Sequence, residues 1–353
     1  MKIIPRRSDV AGLAVCTLAG AIASWLHSPL PWMIGPLFAM AAFRFFDVGV
    51  TAPWSGRFLG QLAIGTALGL YFTPSVAREM VAYWGVFVAA AIFAMLLAYL
   101  GAYGISKFTD TDRTTAFFAS VPGGSQEMVN LALRYGGKVD RIVIAQSLRI
   151  ILVVVIVPFT LTFAGVHGAD VYASVKAPVD AIRLLQLFAC CAIGGVILQL
   201  AQTPNAWMLG PLFVSIALTA NGVEWSAMPN FVTNAAQVLI GCNLGQRFER
   251  ESMRGAPRFV AVVSISVLVA LAVSALFGVG LAYAAALPGT TMILATAPGG
   301  IAEMCLTAKV LQLGVPVVTA AHVARVALLL GLTAPMFRLT RWMRNRYATG
   351  GRR

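Results

Sequence analysis

Two copies of one motif combine residue types that could bind a charged ligand. Each copy has a proline followed by two glycines and, three positions later, a glutamate. Proline lacks a backbone donor and glycine adopts dihedral angles that other residues avoid, so each motif predicts a break within a helical segment. The copies read Pro122-Gly123-Gly124-Ser125-Gln126-Glu127-Met128 and Pro298-Gly299-Gly300-Ile301-Ala302-Glu303-Met304.

The helix that restarts after each break begins at about Gly124 or Gly300, with free amides and a positive dipole end at the break. Two such ends would attract an anion or a substrate carboxylate, although a break can also serve packing alone. Glu127 and Glu303 lie in the first turn, where the dipole stabilises an acid by roughly 0.3–1 kcal/mol. Inside a membrane an ionisable group costs ~2.5–3.5 kcal/mol, so each glutamate needs a partner, water or a proton.

Arg149 and Arg325 are the obvious partners for the two glutamates, because each lies inside the apolar stretch that follows its motif. Arginine stays protonated at any relevant pH. Three arrangements are open: a structural Glu–Arg pair, a site that handles a substrate or ion, or arginines that extend to the membrane surface. His322 lies one turn before Arg325 and is either a structural residue or part of a proton path.

Further polar residues distinguish the two motifs and their neighbouring helices. Ser125, Gln126 and Asn130 belong to the first motif only, since Ile301 and Ala302 replace the first two in the second copy. We therefore expect the first motif to carry more of the specificity. Amides within other apolar segments either join helices through hydrogen bonds or contact the ligand; these are Gln61, Gln146, Gln237 and Asn243.

Both motifs belong to a duplication that covers most of the chain. Trp32 recurs as Trp207, an offset of 175, and Glu127 recurs as Glu303, an offset of 176. Chance similarity between apolar stretches would not keep so constant an offset. The sequence predicts a first membrane repeat over residues 1–166, a linker over 167–180, and a second repeat with a basic tail over 181–353.

The composition indicates an all-α polytopic membrane protein. Of 353 residues only 11% are charged and 59% are hydrophobic, and the mean hydropathy is +0.82, whereas soluble domains have ~25% charged residues. Several apolar stretches reach the ~20 residues that cross a bilayer. We predict interrupted segments over 113–136 and 290–314, and about ten transmembrane helices over 10–26, 32–46, 58–72, 81–105, 142–166, 184–201, 207–219, 231–248, 259–285 and 317–336.

The distribution of the net charge of +13 predicts the topology. Basic residues collect at both chain ends, and such residues mark the cytoplasmic side, so both termini are expected in the cytoplasm. Basic residues also flank the first interrupted segment on both sides, which favours a re-entrant hairpin over a crossing. Five crossings in each half make the repeats inverted, an arrangement typical of secondary transporters with a site near mid-membrane.

Several functional classes find little support in the sequence. No soluble DNA-reading motif accompanies the basic charge, so we expect no direct nucleic-acid partner. Three scattered histidines without a cluster of cysteines or carboxylates predict no metal site. We expect no cofactor and no catalytic residue of a soluble-type enzyme. The five cysteines lie in apolar segments and are interpreted as buried packing residues.

The duplicated motifs resemble those of the AbrB-duplication family of bacterial inner-membrane proteins. The resemblance rests on the two Pro-Gly-Gly motifs and on a second repeated pattern, in which Trp-Met-x-Gly-Pro occurs at residues 32–36 and 207–211. It implies an inner-membrane location and carries conflicting labels, membrane regulator of gene expression and ammonia monooxygenase. The chain is also distantly similar to the cation/proton antiporter and anion transporter superfamily, which uses inverted repeats with interrupted helices.

These observations predict a protein that moves or senses a small, anionic solute or ion at the repeat interface. A membrane-embedded regulator that acts through a partner or a transported signal is the alternative, and a monooxygenase ranks third. The expected partners are the lipid bilayer and a small ligand whose identity the sequence leaves open. A homo-oligomer is compatible with the sequence.

Overall fold

The computed structural model describes the backbone of residues 7–53, 55–168, 172, 177–248 and 255–350, and their side chains except those of 7, 125, 126 and 339–350. Within these ranges the chain forms fifteen helices and no strand. The first half contains α1 (Arg7–Trp25), α2 (Pro31–Phe45), α3 (Gly56–Gly69), α4 (Pro74–Ala82), α5 (Trp84–Phe108), α6 (Arg113–Ser120), α7 (Ser125–Tyr135) and α8 (Val139–Phe163). The second half contains α9 (Ala181–Leu200), α10 (Ala206–Ala220), α11 (Asn230–Gly245), α12 (Pro257–Ala285), α13 (Gly289–Thr296), α14 (Ile301–Val310) and α15 (Val315–Gly350).

Six of these helices, α1, α5, α8, α9, α12 and α15, are long and apolar enough to cross a bilayer, with spans of 18 to 29 residues. This confirms the prediction of an all-helical chain, and six helices of this length and composition agree with a polytopic membrane protein. Four other predicted spans form helices of only 14 to 16 residues, namely α2, α3, α10 and α11. Such helices rise about 21–24 Å, less than the ~30 Å hydrocarbon core, so the number of ten crossings stays a prediction.

Two local elements differ from the sequence-based expectation. Helix α4 was not predicted, because its nine residues include Arg78 and Glu79 and contain no long apolar stretch. Its first residue is Pro74, a typical helix-start signal. Between the halves, half of the predicted linker, residues 169–171 and 173–176, lies outside the described residues. Asp180 at its end caps α9, since its carboxylate accepts hydrogen bonds from the amides of Ile182 and Arg183 at 2.9 and 3.2 Å.

The first helix group consists of α1–α3 and α9–α11, which pack on one another through close helix crossings. At Gly65 of α3, an added Cβ would lie 2.5 Å from the carbonyl oxygen of Met208 in α10. The crossing of α11 with α2 is equivalent, because a Cβ on Gly241 would overlap the carbonyl of Met33. Glycine is therefore required where these helices cross.

The second helix group consists of α5–α8 and α12–α15, and each interrupted segment folds back within it as a hairpin. The amide of Lys138, just before α8, donates to the hydroxyl of Thr115 in the first turn of α6 at 2.8 Å. In the second half, Gly314 lies against Thr291 at the start of α13. Since each segment ends beside its own beginning, its break forms the tip of the hairpin.

Candidate functional site

The long helix after each hairpin carries an arginine that binds the break. The first arms, α6 and α13, end in carbonyl groups that no further helical turn can satisfy. Arg149 of α8 donates from Nη1 to the carbonyl of Val121 at 2.9 Å. Arg325 of α15 donates from Nη1 to Ala297 at 2.7 Å and from Nη2 to the carbonyl of Gly299. These side chains therefore supply the donors that the interrupted backbone needs where water is absent.

A second side chain on each long helix binds the same arm one turn further from the tip. Gln146 is fully buried, and its Nε2 donates to the carbonyls of Phe118 and Val121, both at 2.9 Å. His322 occupies the equivalent position, is also fully buried, and has Nε2 3.1 Å from the carbonyl oxygen of Leu294. Both residues therefore help to hold the first arm against the long helix.

Two of the three arrangements considered for the arginines are not found. Among the described side chains the shortest arginine–carboxylate pair is Arg183–Asp180 at 3.7 Å, and neither motif glutamate forms an ion pair. The predicted ion pair between a motif glutamate and an arginine is not found, because both guanidinium groups donate hydrogen bonds to backbone carbonyls instead. The prediction that these arginines extend to the membrane surface is also wrong, since Arg149 and Arg325 are only 8% and 4% exposed.

A cavity of about 110 Å³ lies between the two hairpin tips and the first helix group. Glu303, from the first turn of α14, supplies the carboxylate in the described lining of the cavity. The carboxyl group of Glu303 folds back against Gly300. The cavity brings together ten of the residues predicted from the sequence: Gln61, Pro122, Gly123, Gly124, Arg149, Asn243, Gly299, Gly300, Glu303 and Arg325.

Other predicted residues lie elsewhere. Glu127 does not line this cavity, and Asn130 is exposed on α7. The described lining also omits Gln146, Gln237, Pro298 and His322. The side chains of Ser125 and Gln126 lie outside the described residues, so the expectation that the first motif carries more of the specificity stays a prediction. In the described part, the second motif contributes more side chains to the cavity.

Sequence reasoning missed two arginines of the cavity, Arg57 and Arg247. Arg57 is the second residue of α3, and Arg247 follows α11. Neither is duplicated, because residues 233 and 71 at the corresponding positions are Thr and Tyr. Basic residues at helix ends indicate topology first, and only the hairpin geometry distinguishes these two from the others.

The groups that converge on the cavity can bind an anion by charge and hydrogen bonding. Four arginines and one glutamate line it. The second arms α7 and α14 begin with glycine at the N-cap, and glycine has no side chain that could cap the first amides. Their positive dipole ends therefore face the same space. Within the described residues, no three His, Cys, Asp or Glu side chains come together as metal ligands.

Comparison with known proteins identifies the chain's relatives. A protein of Bacillus subtilis (strain 168), "Uncharacterized protein YhjN", is 27% identical over 364 residues, which cover 94% of this chain and 92% of that protein. "Putative regulator AbrB" of Escherichia coli (strain K12) is 23% identical over 285 residues, which cover 80% and 82%. Neither name is that of an enzyme. No solved structure matches the chain significantly.

The family comparison agrees with the duplicated motifs. The family model described as "Transition state regulatory protein AbrB" matches residues 10–341. This range contains both hairpins, both long helices that follow them and every residue of the cavity. The chain therefore belongs to the AbrB family.

Proposed function

We propose that this protein binds a small anion in the cavity between the two hairpin tips and transports it across, or senses it from, the bacterial inner membrane. The observation that carries the proposal is the shared cavity, in which two helix N-termini and four arginines face one glutamate. The Nε atoms of Arg149 and Arg325 are buried without a protein partner. An anion would add negative charge to a described lining that has four arginines and a single carboxylate.

The size of the cavity restricts the anion. A volume of about 110 Å³ corresponds to roughly three or four water molecules at ~30 Å³ each. This favours a small inorganic anion or a short carboxylate over a sugar phosphate or a nucleotide. Gln61 and Asn243 add side-chain amides to the lining, so the site can also donate hydrogen bonds to a partly dehydrated oxyanion.

An inverted repeat would give this cavity a transport role. Gly65 of the first half contacts Met208 of the second, and their equivalents Gly241 and Met33 make the reciprocal contact. Reciprocal contacts are expected where a twofold axis relates two units. With ten crossings the axis would lie in the membrane plane, and the hairpin tips would meet from opposite sides near mid-membrane. Both termini would then be cytoplasmic.

Replacing Arg57 by glutamine tests the anion site without removing a structural hydrogen bond. Arg57 is half-buried at the cavity, and no hydrogen bond joins it to another described residue. A hydrogen bond to a charged group contributes about 1.5–3 kcal/mol, so we expect anion affinity to fall about 10- to 100-fold. The measurement is the rise in melting temperature with chloride, nitrate, sulfate, formate or acetate, since a ligand that binds the native state stabilises it.

The matched control for this variant is Arg134→Gln, which removes the same charge from an exposed position on α7. The control should keep the wild-type response to every anion. If no anion stabilises the wild-type protein in a saturable manner, or if Arg57→Gln responds as the wild type does, the anion site is refuted.

The proposed topology is tested separately by cysteine labelling in whole cells. Lys138 follows the first hairpin and Glu224 follows α10, and both are exposed. Lys138→Cys should react with a membrane-impermeant maleimide only after the cells are opened, whereas Glu224→Cys should react in intact cells. Labelling of position 138 from outside would contradict the cytoplasmic hairpin. All five native cysteines are replaced first, because Cys190 is partly exposed.

A regulatory role is the second candidate, because the family description and the Escherichia coli relative carry the name of a regulator. In this form of the proposal, the anion bound in the cavity changes the conformation that a cytoplasmic partner recognises. Transcript levels in a deletion strain carrying Arg57→Gln discriminate between the two. If Arg57→Gln restores wild-type transcript levels in the deletion strain, regulation does not depend on anion binding.

A further inference from the structure

A second and larger cavity, about 690 Å³ in volume, lies on the other side of the hairpin tips between α5 and α12. Its inner wall includes Pro122 and Pro298 from the two breaks, together with Arg149. Along α5 it extends from Ala94 to Phe108, a distance of roughly 21 Å at helical rise. The cavity is therefore long and narrow, and it follows the direction of the membrane-spanning helices.

The outer edge of this cavity is apolar and accessible. Leu100 and Phe108 of α5 are 65% and 56% exposed, and Ile265 and Val269 of α12 are 60% and 54% exposed. Helices as apolar as α5 and α12 place such residues against lipid chains. A ligand would enter from the bilayer, between the two helices, rather than from water.

Because exposed residues of α5 and α12 form its outer edge, the cavity is open to the lipid phase and can hold a hydrocarbon chain. Glycine at position 104 keeps the space open, since nothing lies within 4 Å of the place where its Cβ would be. The volume falls within the roughly 300–1,000 Å³ typical of small-molecule sites. A single hydrocarbon chain suits this long, narrow shape better than the two chains of a phospholipid.

The charge of the lining determines the head group. Arg149 is 8% exposed, and among the described residues its Nε has no partner and no carboxylate lies within ion-pair distance. Arg258 also lines the cavity, whose described lining contains no aspartate or glutamate. The hydroxyl of Ser266, which forms no hydrogen bond to a described residue, adds a donor along the wall. A buried guanidinium in a membrane pairs with an opposite charge or with backbone carbonyls, and a carboxylate would bind the Nε that the carbonyl of Val121 leaves free.

We propose that this cavity binds a single-chain anionic amphiphile from the bilayer, with its carboxylate beside Arg149 and its hydrocarbon chain along α5 and α12. This site is distinct from the small-anion cavity, although Arg149 lines both. An amphiphile at Arg149 competes electrostatically for the same guanidinium, so its binding weakens the binding of the small anion in the neighbouring cavity.

The test uses palmitate as the probe and native mass spectrometry of the full chain in a non-ionic detergent. We expect one palmitate to bind saturably, and hexadecanol, with the same chain and no charge, to bind at least tenfold more weakly. Gly104→Leu fills the cavity and should weaken palmitate binding at least tenfold. Equal binding of palmitate and hexadecanol, or unchanged binding by Gly104→Leu, would overturn the proposal.

Two controls separate this proposal from its alternatives. Gly280→Leu adds the same side chain to α12 at a glycine that also has nothing within 4 Å but does not line the cavity. It should bind palmitate as the wild type does. Neither variant touches the small-anion cavity, so stabilisation by small anions should persist in both, whichever way the palmitate result falls. Preferential retention of two-chain phosphatidylglycerol, or a chain dimer that excludes palmitate, would refute the single-chain occupant.

Discussion

Gly65→Leu should destabilise the protein by more than about 3 kcal/mol, since insertion of extra carbons into a packed contact costs about 1–3 kcal/mol and more when backbone must move. The Cβ alone would lie 2.5 Å from the carbonyl oxygen of Met208 and 3.3 Å from the amide nitrogen of Leu212. Both atoms are helix backbone in α10, which cannot rotate away as a side chain can. The helices α3 and α10 would have to separate.

The measurement is the melting temperature and the monodisperse yield of the purified variant in detergent. Gly280→Leu is the matched control, because it makes the same change in an open part of α12. In a helix, leucine is favoured over glycine by up to about 1 kcal/mol, so the control should equal or exceed the wild type. Gly241→Leu should repeat the loss seen at Gly65, because it occupies the equivalent crossing. A Gly65→Leu protein as stable as the wild type would refute the close crossing.

The broken hairpins could be predicted from sequence because their cause is local. Proline and glycine chemistry acts on the residues that carry it, and the second arms begin at Ser125 and Ile301, next to the predicted glycines. The positions of the long helices followed equally well from apolar length, as α5 and α8 illustrate. Both kinds of element form from local sequence, without contacts to residues that are distant along the chain.

The partners of the arginines could not be predicted in the same way. Sequence shows that Arg149 and Arg325 lie deep in apolar segments, and that each follows a duplicated motif with a glutamate in the equivalent position. In the structure their partners are backbone carbonyl groups of the break. Every residue has such a carbonyl group, so the amino-acid sequence does not indicate which ones an arginine will bind. Arg57 was overlooked for the opposite reason, because a basic residue at a helix end has an adequate explanation in topology.

A repeated feature among the cysteines is visible in the sequence alone. Cys16 and Cys191 have the offset of 175 that relates Trp32 and Trp207. Their thiols lie 3.7 and 3.5 Å from the carbonyl oxygens of Pro36 and Pro211, which are also equivalent. Both cysteines are fully buried, in agreement with their interpretation as packing residues. The additional thiol contact to a proline carbonyl depends on how α1 meets α2 and α9 meets α10.

Arg325→Gln should affect both stability and binding more than any other single change at the cavity. The guanidinium satisfies two carbonyls, those of Ala297 and Gly299, and it is 4% exposed. A buried group left unsatisfied costs about 1–3 kcal/mol, so we expect a loss of about 2–6 kcal/mol. The tip of the second hairpin would lose its anchor, and small-anion affinity should fall at least 100-fold, which corresponds to about 2.7 kcal/mol.

A conservative variant and a surface control distinguish the loss of stability from the loss of anion affinity. Arg325→Lys keeps the charge but lacks the planar fork that reaches both carbonyls, so it should recover part of the anion affinity while remaining less stable than the wild type. Arg134→Gln removes one exposed arginine and should change stability by less than about 0.5 kcal/mol. If Arg325→Gln has the melting temperature of the wild type yet binds no anion, the arginine contributes to anion binding only. In that case the carbonyl contacts of the second hairpin contribute nothing to the fold.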